Sequence, residues 1–272
     1  MSYLGSVEPH AGLLRTPHDE ALIFKVMSVR DLLSSIEWSY LYFTRIDSYT
    51  GEEADQADGH QLQGDQPDNE ALLLFPDAGI TASDYYKNCR SRTYACCFSL
   101  EESVSLWKKY GGGDVNGKVC VVFKFGTLRD MLNRTRQWDH SILQVGTPTF
   151  DQILDINYGI VEYVDSEKQR ANLDRPPNPI TYTYCKSRTF KDEKELRVSL
   201  SALGLGKFVL ANGSQEEFPR SWKVFFDFRS AIVKGDVKLS CLESECDRGF
   251  LESELKRLHF ETRYRGEHAC LG

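Results

Sequence analysis

Between Lys186 and Leu200 the chain reads Lys-Ser-Arg-Thr-Phe-Lys-Asp-Glu-Lys-Glu-Leu-Arg-Val-Ser-Leu. If the backbone is extended from Glu193 on, a period of two sends Glu193, Glu195, Arg197 and Ser199 to one face and Lys194, Leu196, Val198 and Leu200 to the other. Two carboxylates two residues apart on one strand face sit about 7 Å from each other. Burial would raise the pKa of one and leave the other ionised, steadied by Arg197. Such a pair supplies a charge stabiliser beside a group that handles a proton. A solvated edge strand with a surface Glu–Arg pair has the same pattern, so these residues alone leave both readings open.

The elements that must position this stretch follow from composition and periodicity. A chain of 272 residues with 41% apolar content can bury one large core or two small ones; one mixed domain over residues 21–272 is expected, behind a polar arm of residues 1–20. A formal charge of −7 argues against coating nucleic acid or an anionic membrane by bulk electrostatics, although a local basic groove is compatible with it. No apolar run approaches the roughly 20 residues needed to span a bilayer, and residues 1–15 lack the apolar centre of a signal peptide, so the expected setting is the cytoplasm with no membrane partner. The eight cysteines show no two-residue metal knuckle, and the six histidines form no H-x-x-x-H pair.

Along the chain, residues 21–26 read as a strand interrupted by Lys25, whose charge either snorkels or faces a cleft. Ser28 with Asp31 caps a helix carrying Val29, Leu32, Leu33 and Ile36. Residues 41–44 form a second strand. Residues 51–70, rich in Asp, Glu, Gln and Gly, read as a long acidic surface loop: a lid or a tolerated insertion. Residues 94–98 are a strand ending at Ser99, which with Glu102 suggests a capping box for a helix bearing Val104, Trp107 and Tyr110. Gly111 to Gly113 follow that helix and read as its C-cap, not as a phosphate loop. Further strands are expected at 118–125, 158–164, 207–211, 222–226, 231–239 and 259–264, a short helix at 127–135, a last amphipathic helix at 246–258, and only brief local structure at 71–75 and 85–87. Strands outnumber helices and lack a βαβ rhythm, which predicts an α+β fold with a split or largely antiparallel sheet and flanking helices.

Several of these pieces together resemble the bacterial domain of unknown function 2971 family: Ile23-Phe24-Lys25-Val26-Met27, the run from Leu41 to Asp47, Cys97-Phe98-Ser99 with Leu106-Trp107-Lys108-Lys109-Tyr110, residues 117–122, residues 161–165, and Lys186 with the run from Phe190 to Arg197. The chain departs from that pattern in carrying Thr50-Gly51-Glu52-Glu53-Ala54 after the second strand and Lys25 where an arginine is common. The family itself implies no reaction. The order of elements is also similar, more distantly, to the ADP-ribosyltransferase fold, which uses a basic residue, a serine and a glutamate. That similarity implies Glu193, Glu195 and Ser99 as catalytic residues and Lys25, Arg197, Lys186, Trp107 and Tyr110 around NAD, held as a substrate. It implies an ADP-ribosyltransferase, or an NAD glycohydrolase of the same fold, acting as a bacterial effector, a toxin or antiviral defence component, that modifies a protein or nucleic acid and is met by an antitoxin or inhibitor. Two alternatives remain at this point: a non-catalytic module binding nucleotide, RNA or protein, and a nuclease using Asp192, Glu193 and Glu195 with Mg²⁺.

Overall fold

Strand β1 (Leu22–Ser28) ends in the residue that starts the next element. Ser28 is still extended, and its Oγ accepts the Asp31 N–H at 3.0 Å, capping helix α1 (Val29–Glu37) as their spacing predicts. Val29, Leu32 and Ile36 leave α1 at helical spacing and are buried. The structure is a computed structural model, and it describes residues 14–49, 57–139, 154–165, 178, 180–202, 207–209, 215–242 and 244–258. The other strands of the main sheet and the other α-helices are β2 (Tyr40–Arg45), α2 (Gln66–Ala71), α3 (Ala82–Arg90), β3 (Thr93–Ser99), α4 (Val104–Lys109), β4 (Lys118–Lys124), α5 (Phe125–Asp139), β5 (Leu154–Ile160), β6 (Glu195–Ala202), β7 (Ser221–Phe225), α6 (Phe228–Lys234), β8 (Val237–Ser240) and α7 (Arg248–Arg257). The fold is α+β. Among the described residues no helix is long and apolar enough to cross a membrane.

Strands β1 to β8 form one sheet in which every pairing is antiparallel, and β3 is its branch point. One edge of β3 pairs with β6 from Ser99↔Glu195 to Thr93↔Ser201, and β5 lies beyond β6. The other edge is divided. Strand β2 takes it at Ala95 and Tyr94, and β1 takes it at Ser99. Strand β7 extends the β2 arm, while β4 and then β8 extend the β1 arm. The sheet is therefore split, and the fork between β1 and β2 opens beside Cys96 and Cys97.

One face of this sheet holds the main core. Ile23, Phe43, Phe98, Phe123, Leu196 and Val198 pack there against Val29, Leu32 and Ile36 of α1, Leu128 and Leu132 of α5, Phe228 of α6 and Leu251 and Leu255 of α7. The alternation read in β6 is thereby realised: Leu196, Val198 and Leu200 are fully buried in that core.

Four local expectations require correction. Helix α4 is capped by Ser103, whose Oγ accepts the Leu106 N–H at 3.2 Å, and not by Ser99 with Glu102. Residues 231–239 are not one strand; Asp227 caps α6, Gly235 (φ +76) ends it, and β8 begins only at Val237. Residues 85–87 lie inside α3, which opens with a reciprocal capping box between Thr81 and Asp84. The acidic stretch is not a solvated loop from residue 57 on: Asp58, Leu62, Asp65 and Asn69 are buried. Tyr182 Oη donates to Asp65 at 3.1 Å, and Asn69 donates to Tyr182 at 2.9 Å. Residues 50–56, the arm up to residue 13 and the strand expected at 259–264 lie outside the described residues.

Candidate functional site

Glu193 is not on the strand with Glu195. It ends a 3-10 turn (Arg188–Glu193), and Lys194 then takes a left-handed conformation (φ 44, ψ 49) before β6 begins at Glu195. A lysine in that region costs roughly 1 kcal/mol of backbone strain, so neighbouring contacts must hold it. They come from the end of β3. The Leu100 N–H donates to Lys194 O at 2.9 Å, Lys194 Nζ pairs with Glu101, and Ser99 Oγ lies 2.8 Å from Glu193 O and 2.7 Å from Glu101 O. The kink brings the two carboxylates together by a route other than strand alternation, and one ammonium bridges them.

That ammonium belongs to Lys186, carried on a short parallel pair, Glu162–Val164 with Cys185–Ser187. Lys186 Nζ donates to Glu193 Oε2 at 2.6 Å and to Glu195 Oε2 at 3.2 Å. Arg197 Nε donates to Glu195 Oε1 at 2.7 Å, and its Nη atoms grip both oxygens of Asp58 at 2.7 and 2.8 Å and the Thr183 carbonyl at 2.5 Å. At the other end Lys109 Nζ reaches Glu193 Oε1 at 3.4 Å. The result is a chain of alternating charge: Asp58, Arg197, Glu195, Lys186, Glu193, Lys109. It is dry at one end, with Arg197 fully buried, and open at the other, where the Lys109 side chain is 32% exposed. Tyr163 Oη accepts the Glu195 N–H at 2.8 Å and fixes the strand start. The Phe190 ring lies 5.0 Å from Lys186 Nζ and 5.6 Å from Lys109 Nζ.

Burial pushes the Glu195 carboxyl up, but Arg197 and then Lys186 outweigh it and hold its pKa at about 2. Burial also works against the Lys186 ammonium, which Glu195 and Glu193 hold well above the usual lysine value. Burial raises the Asp58 carboxyl, and the Arg197 fork opposes that rise. Cys97, opposite Arg197 in the ladder, is pushed up by burial and by Glu195, so its thiol stays protonated and is a poor nucleophile.

The Glu195 shift has a signed consequence. A carboxyl with a pKa of about 2 in the folded chain and an ordinary value of 4.5 adds stability above pH 4.5 that is lost as pH falls toward 2. The full difference is on the order of 3 kcal/mol. Urea unfolding of the wild type and of Glu195→Gln should therefore converge as pH drops from about 5 to about 3; a gap that stays constant would show that Glu195 does not carry the shift.

The group sits on the wall of a cleft of about 890 Å³ that occupies the fork, lined also by Lys25, Asp31, Tyr40, Tyr42, Tyr49, Cys97, Tyr110 and Lys223. The predicted site residues fall into four groups, Lys25 standing by itself. Glu193, Glu195, Lys186 and Tyr110 meet in the cleft, and the Tyr110 hydroxyl is raised by burial and next by Glu193. Arg197 contributes to the cleft wall, but its guanidinium is engaged by Asp58, Glu195 and Thr183, so it positions Glu195 and is not a hand for a cofactor. Ser99 and Trp107 do not offer free groups. The Ser99 hydroxyl ties down the Glu193 kink, and Trp107 is buried against Val26 and Leu106 with its Nε1 donating to Glu102 at 3.2 Å.

Lys25 differs from expectation in its root. Pairing places Phe24, Ser99 and Glu195 on one face, so alternation sends Lys25 to the other, with Ile23 and Met27. Its ammonium nevertheless lines the cleft: at the fork it donates to the Cys97 carbonyl at 3.1 Å, on the edge that neither β1 nor β2 covers, and lies 5.5 Å from the Phe98 ring.

Asp58, Lys109 and Tyr49 escape a reading of the sequence. Asp58 is one acid among several in a polar stretch, and nothing local marks it as the partner of a residue 139 positions away. Lys109 falls on a short amphipathic helix as an ordinary surface lysine. Among the described residues no three His, Cys, Asp or Glu side chains are grouped to hold a metal ion. Comparison with known proteins gave no match to any family model, curated protein or solved structure.

Proposed function

We propose that the cleft holds NAD as a substrate, breaks its nicotinamide–ribose bond and passes ADP-ribose to a macromolecular acceptor, in the manner of an ADP-ribosyltransferase. The observation that carries this reading is Glu195: a carboxylate kept ionised and fixed in place at the wall of a cleft large enough for a nucleotide. Cleavage develops an oxocarbenium-like positive charge on the ribose, and a carboxylate oriented before the reaction binds that charge more tightly than it binds the neutral sugar. Glu193 Oε1, whose one partner among the described residues is Lys109 at 3.4 Å, is the more available oxygen for the acceptor's proton. Among the described residues Lys25 and Lys223 line the cleft without a carboxylate partner and suit a diphosphate; the Tyr110 and Tyr49 rings form apolar wall for nicotinamide. Glu193 and Glu195 already share their oxygens with cations, which sets them apart from the open carboxylate cluster that a two-metal nuclease requires.

The test is incubation of the pure protein and cell extract with NAD labelled in its adenosine half. Label in a protein or nucleic acid band, with nicotinamide released, is the expected result. Neither product at any extract concentration would overturn the reading. Ser99→Ala separates structure from chemistry in the same assay: loss of a buried hydroxyl that lies within hydrogen-bond distance of the Glu193 and Glu101 carbonyls should lower stability by about 1–3 kcal/mol yet reduce nicotinamide release far less than Glu195→Gln. An equal loss would place Ser99 in the reaction itself.

A second reading, a cleft that binds a nucleotide without turnover, is favoured by one feature: each Glu195 oxygen is ion-paired, which offsets the charge it can present to a cation. Calorimetric binding of NAD with no release of nicotinamide would decide for it.

A further inference from the structure

Cys241 and Cys246, which the proposed reaction does not use, meet at the link between β8 and α7. Both are thiols and half-buried, and Cys246 Sγ donates to Cys241 Sγ at 3.3 Å. Cys89, Cys96 and Cys120, by contrast, are buried in the interior. The main chain between the pair closes a turn, because the Glu245 N–H donates to Leu242 O at 3.0 Å. That turn is also clamped from outside. The Lys118 N–H donates to Glu245 O at 2.6 Å, the Asp247 N–H donates to Asn116 O at 3.0 Å, and Cys246 pairs with Gly117 as an isolated bridge. Gly117 has φ +84, and a Cβ there would lie 2.1 Å from Glu245 O, so glycine is what lets the two turns touch. The Gly117 carbonyl in turn accepts the Val29 N–H at 3.0 Å, and Asp114 accepts the Arg30 N–H at 2.8 Å, so the same junction seats the start of α1. Two sulfurs in contact, on a backbone held from both sides, are placed to bond to each other.

We propose that Cys241 and Cys246 form a reversible dithiol–disulfide site, oxidised by small-molecule disulfides of the glutathione type. Cys241 loses its proton to solvent and attacks one sulfur of the small disulfide; that S–S bond breaks, one small thiolate leaves with the electron pair and takes up a proton, and Cys241 carries the other half as a mixed disulfide. Cys246 then loses its proton and attacks the Cys241 sulfur, the internal S–S bond forms and the second small thiol departs. The two cysteines give up two electrons, and the small disulfide is reduced to two thiols. The hydrogen bond to Cys241, and next burial, push the Cys246 thiol up, so it acts second, after the mixed disulfide has removed that bond's charged acceptor. Neither sulfur has to be without other contacts, since exchange needs only that each sulfur reach the next. Among the described residues no third His, Cys, Asp or Glu is grouped with the pair, so the sulfurs lack the remaining ligands of a structural metal site. The bond ties the end of β8 to the start of α7 and stabilises the junction chiefly by restricting the unfolded chain. It stands apart from the reaction of the cleft, and neither result bears on the other.

The experiment holds the full chain in buffers of graded reduced-to-oxidised glutathione ratio, blocks the remaining thiols with a maleimide and reads tryptic peptides by mass spectrometry. Trypsin cuts after Lys238 and Arg248, so both cysteines fall in one peptide, residues 239–248. The expected product is that peptide, unblocked and two hydrogen atoms lighter, returned to the doubly blocked form by dithiothreitol. In Cys246→Ser the second step is absent, and Cys241 is expected to retain one glutathionyl group. At a ratio that converts this peptide alone, the oxidised wild type should unfold at a urea concentration roughly 0.5–1 M above that of the reduced protein. A peptide doubly blocked at every ratio, glutathionyl groups on both cysteines without an internal bond, or a cross-link from either cysteine to another peptide would each overturn the inference. So would an oxidised form whose urea midpoint equals or falls below that of the reduced form, because the turn would then not be shaped for the bond.

Discussion

Arg197→Met is expected to remove about 3–5 kcal/mol of folding stability, the largest effect of any single change at the site. The substitution keeps most of the side chain's apolar length and takes away the charge. It leaves Asp58 and Glu195, both under 4% exposed, facing each other across the vacated guanidinium with Lys186 as the one remaining close cation among the described residues. A buried carboxylate without a partner either bears the desolvation cost or takes up a proton, and each outcome favours the unfolded chain. Urea denaturation at neutral pH measures the loss. The reasoning also predicts its own rescue: Asp58→Asn with Arg197→Met removes the charge that Arg197 alone held, and stability should return in part. If Arg197→Met unfolds at the wild-type midpoint, the ion-pair chain is not what holds the 57–65 segment against β6.

Glu195→Gln is expected to reduce nicotinamide release by about 10²–10³ while leaving NAD affinity within a few-fold of the wild type. The amide keeps the shape and one acceptor oxygen, so the ground state is held almost as before. What it lacks is the negative charge that matters only as the sugar becomes cationic. A fall in kcat with little change in KM is the signature of an interaction made in the transition state. A change in KM alone would assign Glu195 to binding, and unchanged turnover would remove it from the reaction. The variant folds if the amide oxygen introduced at this position still accepts from Arg197 Nε, and the unfolding series proposed for the pH dependence reports on that directly.

Much of the frame can be read from short-range pattern. The apolar alternation of Leu196, Val198 and Leu200 marks β6 and its core face, and Ser28 with Asp31 marks the start of α1, because both depend on residues within one strand or one helical turn. Thr81 with Asp84, and Asp227 with Gly235, carry the same kind of signal for α3 and α6; at α6 the neighbouring Ile232-Val233 favours a strand by residue type, and the cap and the terminating glycine outweigh it. The pairing of Glu193 with Glu195 is legible as composition, but its geometry is not. Period-two reasoning presumes an extended backbone, and Lys194 in the left-handed region breaks it.

Residue types along the strands and caps thus suffice to foretell an α+β chain, its inward faces and the carboxylates worth watching. The branched edge of β3, the burial of Asp58 against Arg197, the bridge of Lys186 between two glutamates and the passage of the Lys25 ammonium into the fork belong to the folded chain alone. The reason is one of range. Capping and alternation are decided between neighbours, whereas a buried charge takes whichever opposite charge the packing brings within about 3 Å, and that choice is made by the whole core at once.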